Sequence, residues 1–214
     1  MDVTELLQSQ PQPTSVWDKY VPIIEEKNHT KAYITDEIAE PSAYNELCYK
    51  LKTASEAEVF HLYINTPGGL IDSATMLVDA IKTTKAKVIA EISGTVASAG
   101  TIITLACDEI NVADHTAFMI HNYSSSGISG KAHEIKSYQA FTEANLVKAF
   151  RSFYSGFLTP QEIDEVIEGR DIWLGADEVR DRAAGLVDQP PYPVKTGVKK
   201  KKKAKLSGKS KKDS

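Results

Sequence analysis

Between residues 31 and 120 the apolar positions switch repeatedly between strand-like runs and helical spacing. Lys31-Ala-Tyr-Ile-Thr35 reads as a short strand. Ser42 to Leu51 then puts Ala43, Leu47 and Leu51 on one helical face. Val59-Phe-His-Leu-Tyr-Ile64 is nearly continuous and ends at a turn, the pattern of a strand buried on both faces. After Gly68-Gly69, the residues Ile71, Ala74, Leu77, Val78 and Ile81 recur at helical steps. Lys87-Val-Ile-Ala-Glu-Ile92 is the next strand, and Ser98 opens a second apolar helix that runs through Cys107. Asp108-Glu-Ile-Asn-Val112 and Ala117-Phe-Met-Ile120 read as short strands, the second ending at His121. Strands alternating with helices predict an α/β fold with largely parallel pairing.

Beyond His121 the pattern changes. Ser124 to Gly130 is a glycine- and serine-rich loop, and Lys131 to Phe157 has helical periodicity throughout, carried by Ile135, Tyr138, Ala144, Val147, Phe150 and Tyr154. A helix of that extent would span about 40 Å, long for a compact domain of this size, which suggests that it projects toward a partner subunit. Thr159-Pro-Gln-Glu162 has the form of a helix start, with Thr159 as cap and Pro160 at the first position. Gly175 to Ala184 is a further helical stretch ending at Gly185. There is no internal repeat. Residues 1 to 16 are expected to be irregular, since Pro11 and Pro13 break any helix.

At 214 residues the chain is long enough for one domain with a sizeable core, and 42% hydrophobic with 25% charged residues is ordinary for a soluble globule. No apolar run approaches a membrane span, and Met1 to Pro13 is polar and acidic, unlike a secretory signal. The two cysteines, Cys48 and Cys107, each sit in an apolar pattern and read as reduced core residues of a cytosol-like compartment, so a cytoplasmic location is expected. The net charge of −4 conceals a split. From Lys195 onward there are ten lysines and one aspartate, or +9; the rest holds 15 basic and 28 acidic residues and carries −13. The expected organisation is an irregular segment (1–16), a globular domain (17–190) and a disordered lysine-rich tail (191–214). The tail attracts anionic surfaces, but without interleaved aromatics it suggests nucleic acid only weakly.

Candidate chemistry concentrates at two turns. Ser98 lies in Gly94-Thr-Val-Ala-Ser-Ala-Gly100, and Asn65-Thr-Pro-Gly-Gly69 precedes it by thirty residues. Each turn leads from an apolar run into a helix, so together they can expose a hydroxyl and aim backbone N–H groups near it. A serine at a helix start also reads as a simple cap, since serine is a favoured N-cap residue. The context is not the Gly-x-Ser-x-Gly elbow, because Val96 stands at the first glycine position. His121, directly after a strand, is placed to take a proton from Ser98. His29, His61, His115 and His133 lack a comparable placement, and no two histidines have metal-ligand spacing within a helix, so no metal is expected. Asp171, in Gly169-Arg-Asp-Ile-Trp-Leu174, could be partly buried against Ile172 and Trp173 and orient an imidazole, or pair with Arg170.

Tyr63-Ile-Asn-Thr-Pro-Gly-Gly69, the Ser98 turn, Phe118-Met-Ile-His121, and Arg170-Asp171 with its trailing Ala183-Ala-Gly-Leu-Val-Asp188 together resemble the ClpP family of self-compartmentalising serine peptidases. The likeness covers roughly residues 20 to 188 in the family's order. The glycine pair and the serine turn recur across the wider ClpP/crotonase superfamily, whereas Met-Ile-His narrows the match to the peptidase branch. The resemblance implies a spiral of ββα units with Lys131–Phe157 as a projecting handle helix between stacked, heptameric rings. It implies Ser98 as nucleophile, His121 as general base and acid, and Asp171 as orienting carboxylate. The oxyanion donors would be backbone N–H groups of Gly69 (or Gly68) and Ala99. No cofactor is implied; the substrate would be unfolded or threaded polypeptide, with an AAA+ unfoldase as partner by analogy.

The chain also departs from that pattern. His121-Asn122-Tyr123 stands where the family has His-Gln-Pro, Ala99 where it often has methionine, and the amino-terminal segment lacks the usual axial-loop sequence. Four other readings share some of these features: a crotonase-like acyl-CoA enzyme, a bacteriophage capsid-associated maturation protease, a Ser–Lys signal-peptide peptidase and an inactive ring subunit.

Overall fold

The computed structural model describes residues 21–124 and 129–186; the expectations for the amino-terminal segment, most of the serine-glycine loop and the lysine tail lie outside these residues. Seven strands form one mixed sheet: β1 (Ile23–Glu26), β2 (His29–Ile34), β3 (Val59–Thr66), β4 (Lys87–Ala97), β5 (Glu109–Val112), β6 (Ala117–Ile120) and β7 (Ile172–Gly175). The order is β1-β2-β3-β4-β6-β7, with β5 also on β4. All pairings among β2 to β6 are parallel, and only β1 on β2 and β7 on β6 run antiparallel. Among the described residues six α-helices accompany them: α1 (Asn45–Thr53), α2 (Ile71–Thr83), α3 (Ala99–Ala106), α4 (Ala132–Phe153), α5 (Pro160–Ile167) and α6 (Ala176–Ala184).

The core lies between the sheet and helices α1 to α3. Leu62, Ile64, Val88 and Ala90 face it from the strands, Leu47, Leu51, Leu77 and Ile103 from the helices, all with no more than 1% exposure. Each such Leu or Ile contributes about 1.5–3 kcal/mol through loss of contact with water. β3 is buried on this face alone: Phe60, Leu62 and Ile64 are inside, while Val59, His61 and Tyr63 are half-buried. The continuous apolar run therefore comes from a sheet covered on one side, with Tyr63 stacked on Tyr33 across the other (ring centroids 4.8 Å apart). Cys48 and Cys107 are both buried and unbridged.

β4 extends five residues beyond the apolar run that predicts it, because it bends rather than ends. Gly94 adopts φ +63° at the bend, and the Asn65 side-chain carbonyl accepts from the Thr95 N–H at 3.1 Å. Ile89–Ile92 pair with β5, and Thr95–Ala97 pair with β6. The second half of β4 carries the serine turn to the end of β6.

Helix α4 spans 22 residues rather than the predicted 27, about 33 Å at 1.5 Å per residue. It stops at Phe153 because Gly156, at φ +85°, follows within three residues. Its end is buried in the body through Phe150 and the following Tyr154, whereas Tyr138 and Phe141 are 57% and 69% exposed. The predicted start of α5 is observed as a full capping box: Thr159 Oγ1 accepts from the Glu162 N–H, and the Glu162 carboxylate accepts from the Thr159 N–H. Among the described residues no helix is long and apolar enough to cross a membrane.

Candidate active site

Sheet register brings the serine and the histidine together. Ala97 pairs with Met119, and the Ser98 N–H donates to the Met119 carbonyl at 2.9 Å, one step past the β4–β6 ladder. His121 follows two residues later, and its Nε2 lies 2.7 Å from Ser98 Oγ. Ser98 adopts φ +53°, ψ −123°, a sparsely populated conformation for a residue with a Cβ. Such a backbone costs of order 1–3 kcal/mol and is held by its surroundings. It turns the chain abruptly from β4 into α3 and leaves the hydroxyl partly exposed at the turn.

The glycine turn packs directly beneath. A Cβ on Gly68 would lie 2.5 Å from Ser98 Cβ and 2.9 Å from the Ala97 carbonyl oxygen. A Cβ on Gly69 would lie 2.4 Å from the Ile38 carbonyl oxygen. The turn is pinned by a residue whose role the sequence pattern does not reveal. Thr66 is fully buried; its Oγ1 donates to the Asp36 carbonyl at 2.6 Å and accepts from the Gly68 N–H at 3.1 Å. The Gly68 N–H is thereby occupied. Among the described residues the Gly69 N–H has no acceptor, and the Ala99 N–H opens α3, where no carbonyl lies one turn back to receive it.

Gly69, Ser98, Ala99 and His121 line one end of a cavity of about 380 Å³. Its walls are mainly apolar, with Leu70, Ile71, Ile102, Leu146, Phe150 and Phe153 supplied by α2, α3 and α4. A hydroxyl, an imidazole and two free N–H groups thus meet at the mouth of a pocket suited to an apolar side chain.

Asp171 occupies a different environment from the one predicted. β6 and β7 pair antiparallel through Ile120↔Ile172, so His121 and Asp171 face each other one step beyond the ladder. Its neighbours do not enclose it: Ile172 is buried and Trp173 is 62% exposed, because adjacent strand residues point to opposite faces. Asp171 itself is exposed, and its carboxylate makes no hydrogen bond among the described residues. The alternative ion pair with Arg170 is also absent, since Arg170 bonds Glu165. Asn122 fastens the two segments: its Nδ2 donates to the Ile167 carbonyl at 2.8 Å, four residues before Asp171.

The Clp protease family profile matches residues 23–189, about four-fifths of the chain. The chain belongs to the Clp protease family. It is 33% identical over 153 residues to the ATP-dependent Clp protease proteolytic subunit 2 of Pseudomonas aeruginosa, covering 69% of this chain and 75% of that one. It is 32% identical to proteolytic subunit 3 of Rhizobium meliloti, covering 73% and 78%. A ClpP1 variant from Listeria monocytogenes shares the fold, with a TM-score of 0.58 at 23% identity over 72% of this chain and 86% of that one. As a Clp protease family member the chain is a peptidase, a hydrolase of peptide bonds.

Proposed function

We propose that this chain is a serine endopeptidase that cleaves unfolded polypeptide through an acyl-enzyme, with Ser98 as nucleophile, His121 as base and Asp171 as orienting carboxylate. The observation that carries this reading is the 2.7 Å approach of His121 Nε2 to Ser98 Oγ on a positive-φ turn flanked by two free backbone N–H groups. His121 Nε2 takes the hydroxyl proton as Ser98 Oγ attacks a peptide carbonyl carbon. The carbonyl oxygen becomes an oxyanion between the Gly69 and Ala99 N–H groups, each such donor worth about 3 kcal/mol of barrier. The imidazolium returns its proton to the leaving amine, and water, deprotonated by the same imidazole, hydrolyses the ester to release acid and restore Ser98. No step needs a metal or cofactor.

Two features support assembly with further copies of the chain. Helix α4 carries Tyr138 and Phe141 largely exposed, and the Pseudomonas and Rhizobium relatives are named as proteolytic subunits of an ATP-dependent protease. We read the active form as a homo-oligomeric ring chamber in the cytoplasm, fed by an ATP-driven unfoldase.

Labelling with a fluorophosphonate probe, with peptide mapping, tests the chemistry. Adduct formation at Ser98, lost in Ser98→Ala and strongly slowed in His121→Ala, is the expected result. Labelled protein that turns over a short fluorogenic peptide excludes an inert ring subunit. No adduct at Ser98 in correctly assembled protein refutes the assignment, and undiminished turnover by His121→Ala refutes the base. Light scattering on the same sample measures the particle.

A further inference from the structure

Tyr154 and Thr101 pack against the serine turn, and Tyr154 also lines the cavity that Ser98 and His121 border. Both are buried, at 1% and 0% exposure. Thr101 Oγ1 lies 2.6 Å from the Ser98 carbonyl oxygen and 2.6 Å from Tyr154 Oη, and the Thr101 N–H donates to the same Ser98 carbonyl at 3.0 Å. A hydroxyl has one proton to give. The Thr101 proton goes to the Ser98 carbonyl, and Tyr154 completes the chain by donating to Thr101 Oγ1. Burial raises the phenol's pKa, so it remains a donor throughout the working pH range.

The Ser98 carbonyl belongs to the same peptide unit as the Ala99 N–H. In a planar trans peptide these two groups point in opposite directions. Holding the carbonyl back into the protein therefore holds the N–H forward, toward the cavity that Ala99 lines. At ψ −123° the unit sits outside the relaxed helical or extended values, so it needs fixing. Two hydrogen bonds on one carbonyl supply that, and one of them depends on a side chain.

We infer that Thr101 and Tyr154 are positioning residues for the oxyanion hole, a buried hydroxyl relay that clamps the Ser98–Ala99 peptide with its N–H aimed at the substrate carbonyl. The relay's hydroxyls do not reach the reacting atoms: Thr101 Oγ1 is spent on the Ser98 carbonyl, and the Tyr154 hydroxyl, although its ring lines the cavity, is spent on Thr101. It acts on the transition state, because the Ala99 N–H bond strengthens only as charge develops on the oxygen. The inference rests on the Ser98 nucleophile proposed above and names what fixes one of its donors.

The test uses the full chain, assembled, with Thr101→Val, Thr101→Ser and Tyr154→Phe. Each is assayed for kcat and KM on a fluorogenic peptide, for binding of a peptide aldehyde as transition-state analogue, and for the pH profile of kcat/KM. Removing a whole donor costs about 10²–10³-fold in kcat; loosening one is expected to cost about 10- to 100-fold in Thr101→Val and about 3- to 10-fold in Tyr154→Phe. KM and the pH midpoints should stay put, aldehyde affinity should fall by the same factor as kcat/KM, and Thr101→Ser, which keeps the hydroxyl, should recover most of the rate.

A merely structural role predicts instead lower stability with kcat intact, or equal losses in Thr101→Ser and Thr101→Val. Either result overturns the inference. Should Thr101→Val fail to assemble, Tyr154→Phe, which removes one oxygen and preserves the ring, decides alone: kcat unchanged overturns the relay. Wild-type protein that the fluorophosphonate leaves unlabelled refutes the Ser98 reading and this inference with it. Labelled wild type with an unaffected Thr101→Val refutes the relay only.

Discussion

Replacing Gly68 by alanine strikes the candidate active site without changing the chemical identity of any proposed catalytic group. The backbone at residue 68 has φ +102°, where a Cβ is strained by roughly 1–3 kcal/mol. The added methyl would sit 2.5 Å from Ser98 Cβ, about 1 Å short of ordinary van der Waals contact, and 2.9 Å from the Ala97 carbonyl oxygen. Overpacking of this kind adds a further ~1–3 kcal/mol. Neither neighbour is the free end of a flexible side chain, so the serine turn itself must move. A shift of about 1 Å in the nucleophile is enough to lower kcat/KM by ~10²-fold. The assay is kcat/KM on a fluorogenic peptide, alongside the rate of fluorophosphonate labelling and a thermal melt. Both rates should fall together, with Tm lower by about 4–24 °C for a combined cost of ~2–6 kcal/mol. Gly175→Ala is the matched control: no atom lies within 4 Å of its new Cβ and φ is −82°, so activity should be unchanged. Near-wild-type peptidase activity in Gly68→Ala would show that the two turns are not in the contact described.

Thr66→Val keeps shape but loses the bond to the Asp36 carbonyl and strands the Gly68 N–H; urea unfolding should report a loss of ~1–3 kcal/mol, and kcat should fall as the glycine turn loosens. The Arg182 guanidinium, bonded to both Glu162 carboxylate oxygens, lowers that carboxyl from an ordinary 4.5 to about 2. A depressed carboxyl contributes stability that is complete above pH 4.5 and is lost as pH falls toward 2. Both side chains are about a quarter exposed, so the contribution is ~1–2 kcal/mol, and Glu162→Gln should flatten the acid limb of the stability profile by that amount. Burial pushes the Cys48 thiol up to about 11 and Cys107 higher still. Iodoacetamide at pH 8 should therefore spare both cysteines in native protein and alkylate both after denaturation.

The central part of the fold was legible because each strand there ends at a turn that the next helix needs. The pair Gly68-Gly69, the Thr159–Pro160 start and the apolar run into His121 are local signals, and local signals survive in a single sequence. β7 was not legible: four residues with Ile172 and Leu174 inside give too short an alternation to separate from a loop. β1 fails for a related reason, since Ile24 is 46% exposed in a hairpin strand that buries little. The overlong estimate for α4 shows periodicity continuing past a stop that Gly156 imposes. Of the candidate site, Ser98, His121 and the two turns could be picked out, but Thr66 and Thr101 could not. A buried threonine in an apolar stretch looks like any β-branched core residue until the carbonyl it serves is known.

Missing β7 also explains why Asp171 was expected in the wrong surroundings. As a loop residue it would sit against Ile172 and Trp173; as a residue at the head of a strand it stands opposite His121 and open to water. The second arrangement has a physical consequence. The backbone of both residues is already in cross-strand register, a separation at which side chains on one face normally touch. Bringing the carboxylate to the imidazole therefore calls for side-chain rotation, and rotation between staggered positions is cheap beside any rebuilding of the sheet. Arg170 is held by Glu165 and Asn122 by the Ile167 carbonyl, so the groups on either side are fixed while Asp171 alone is free to turn. Anything that removes water from this edge of the sheet, a neighbouring copy of the chain above all, strengthens the attraction between carboxylate and imidazolium. Within the described residues the Ser98–His121 contact is already made, and the proposed role of Asp171 calls for a turned side chain at a drier edge rather than a new fold.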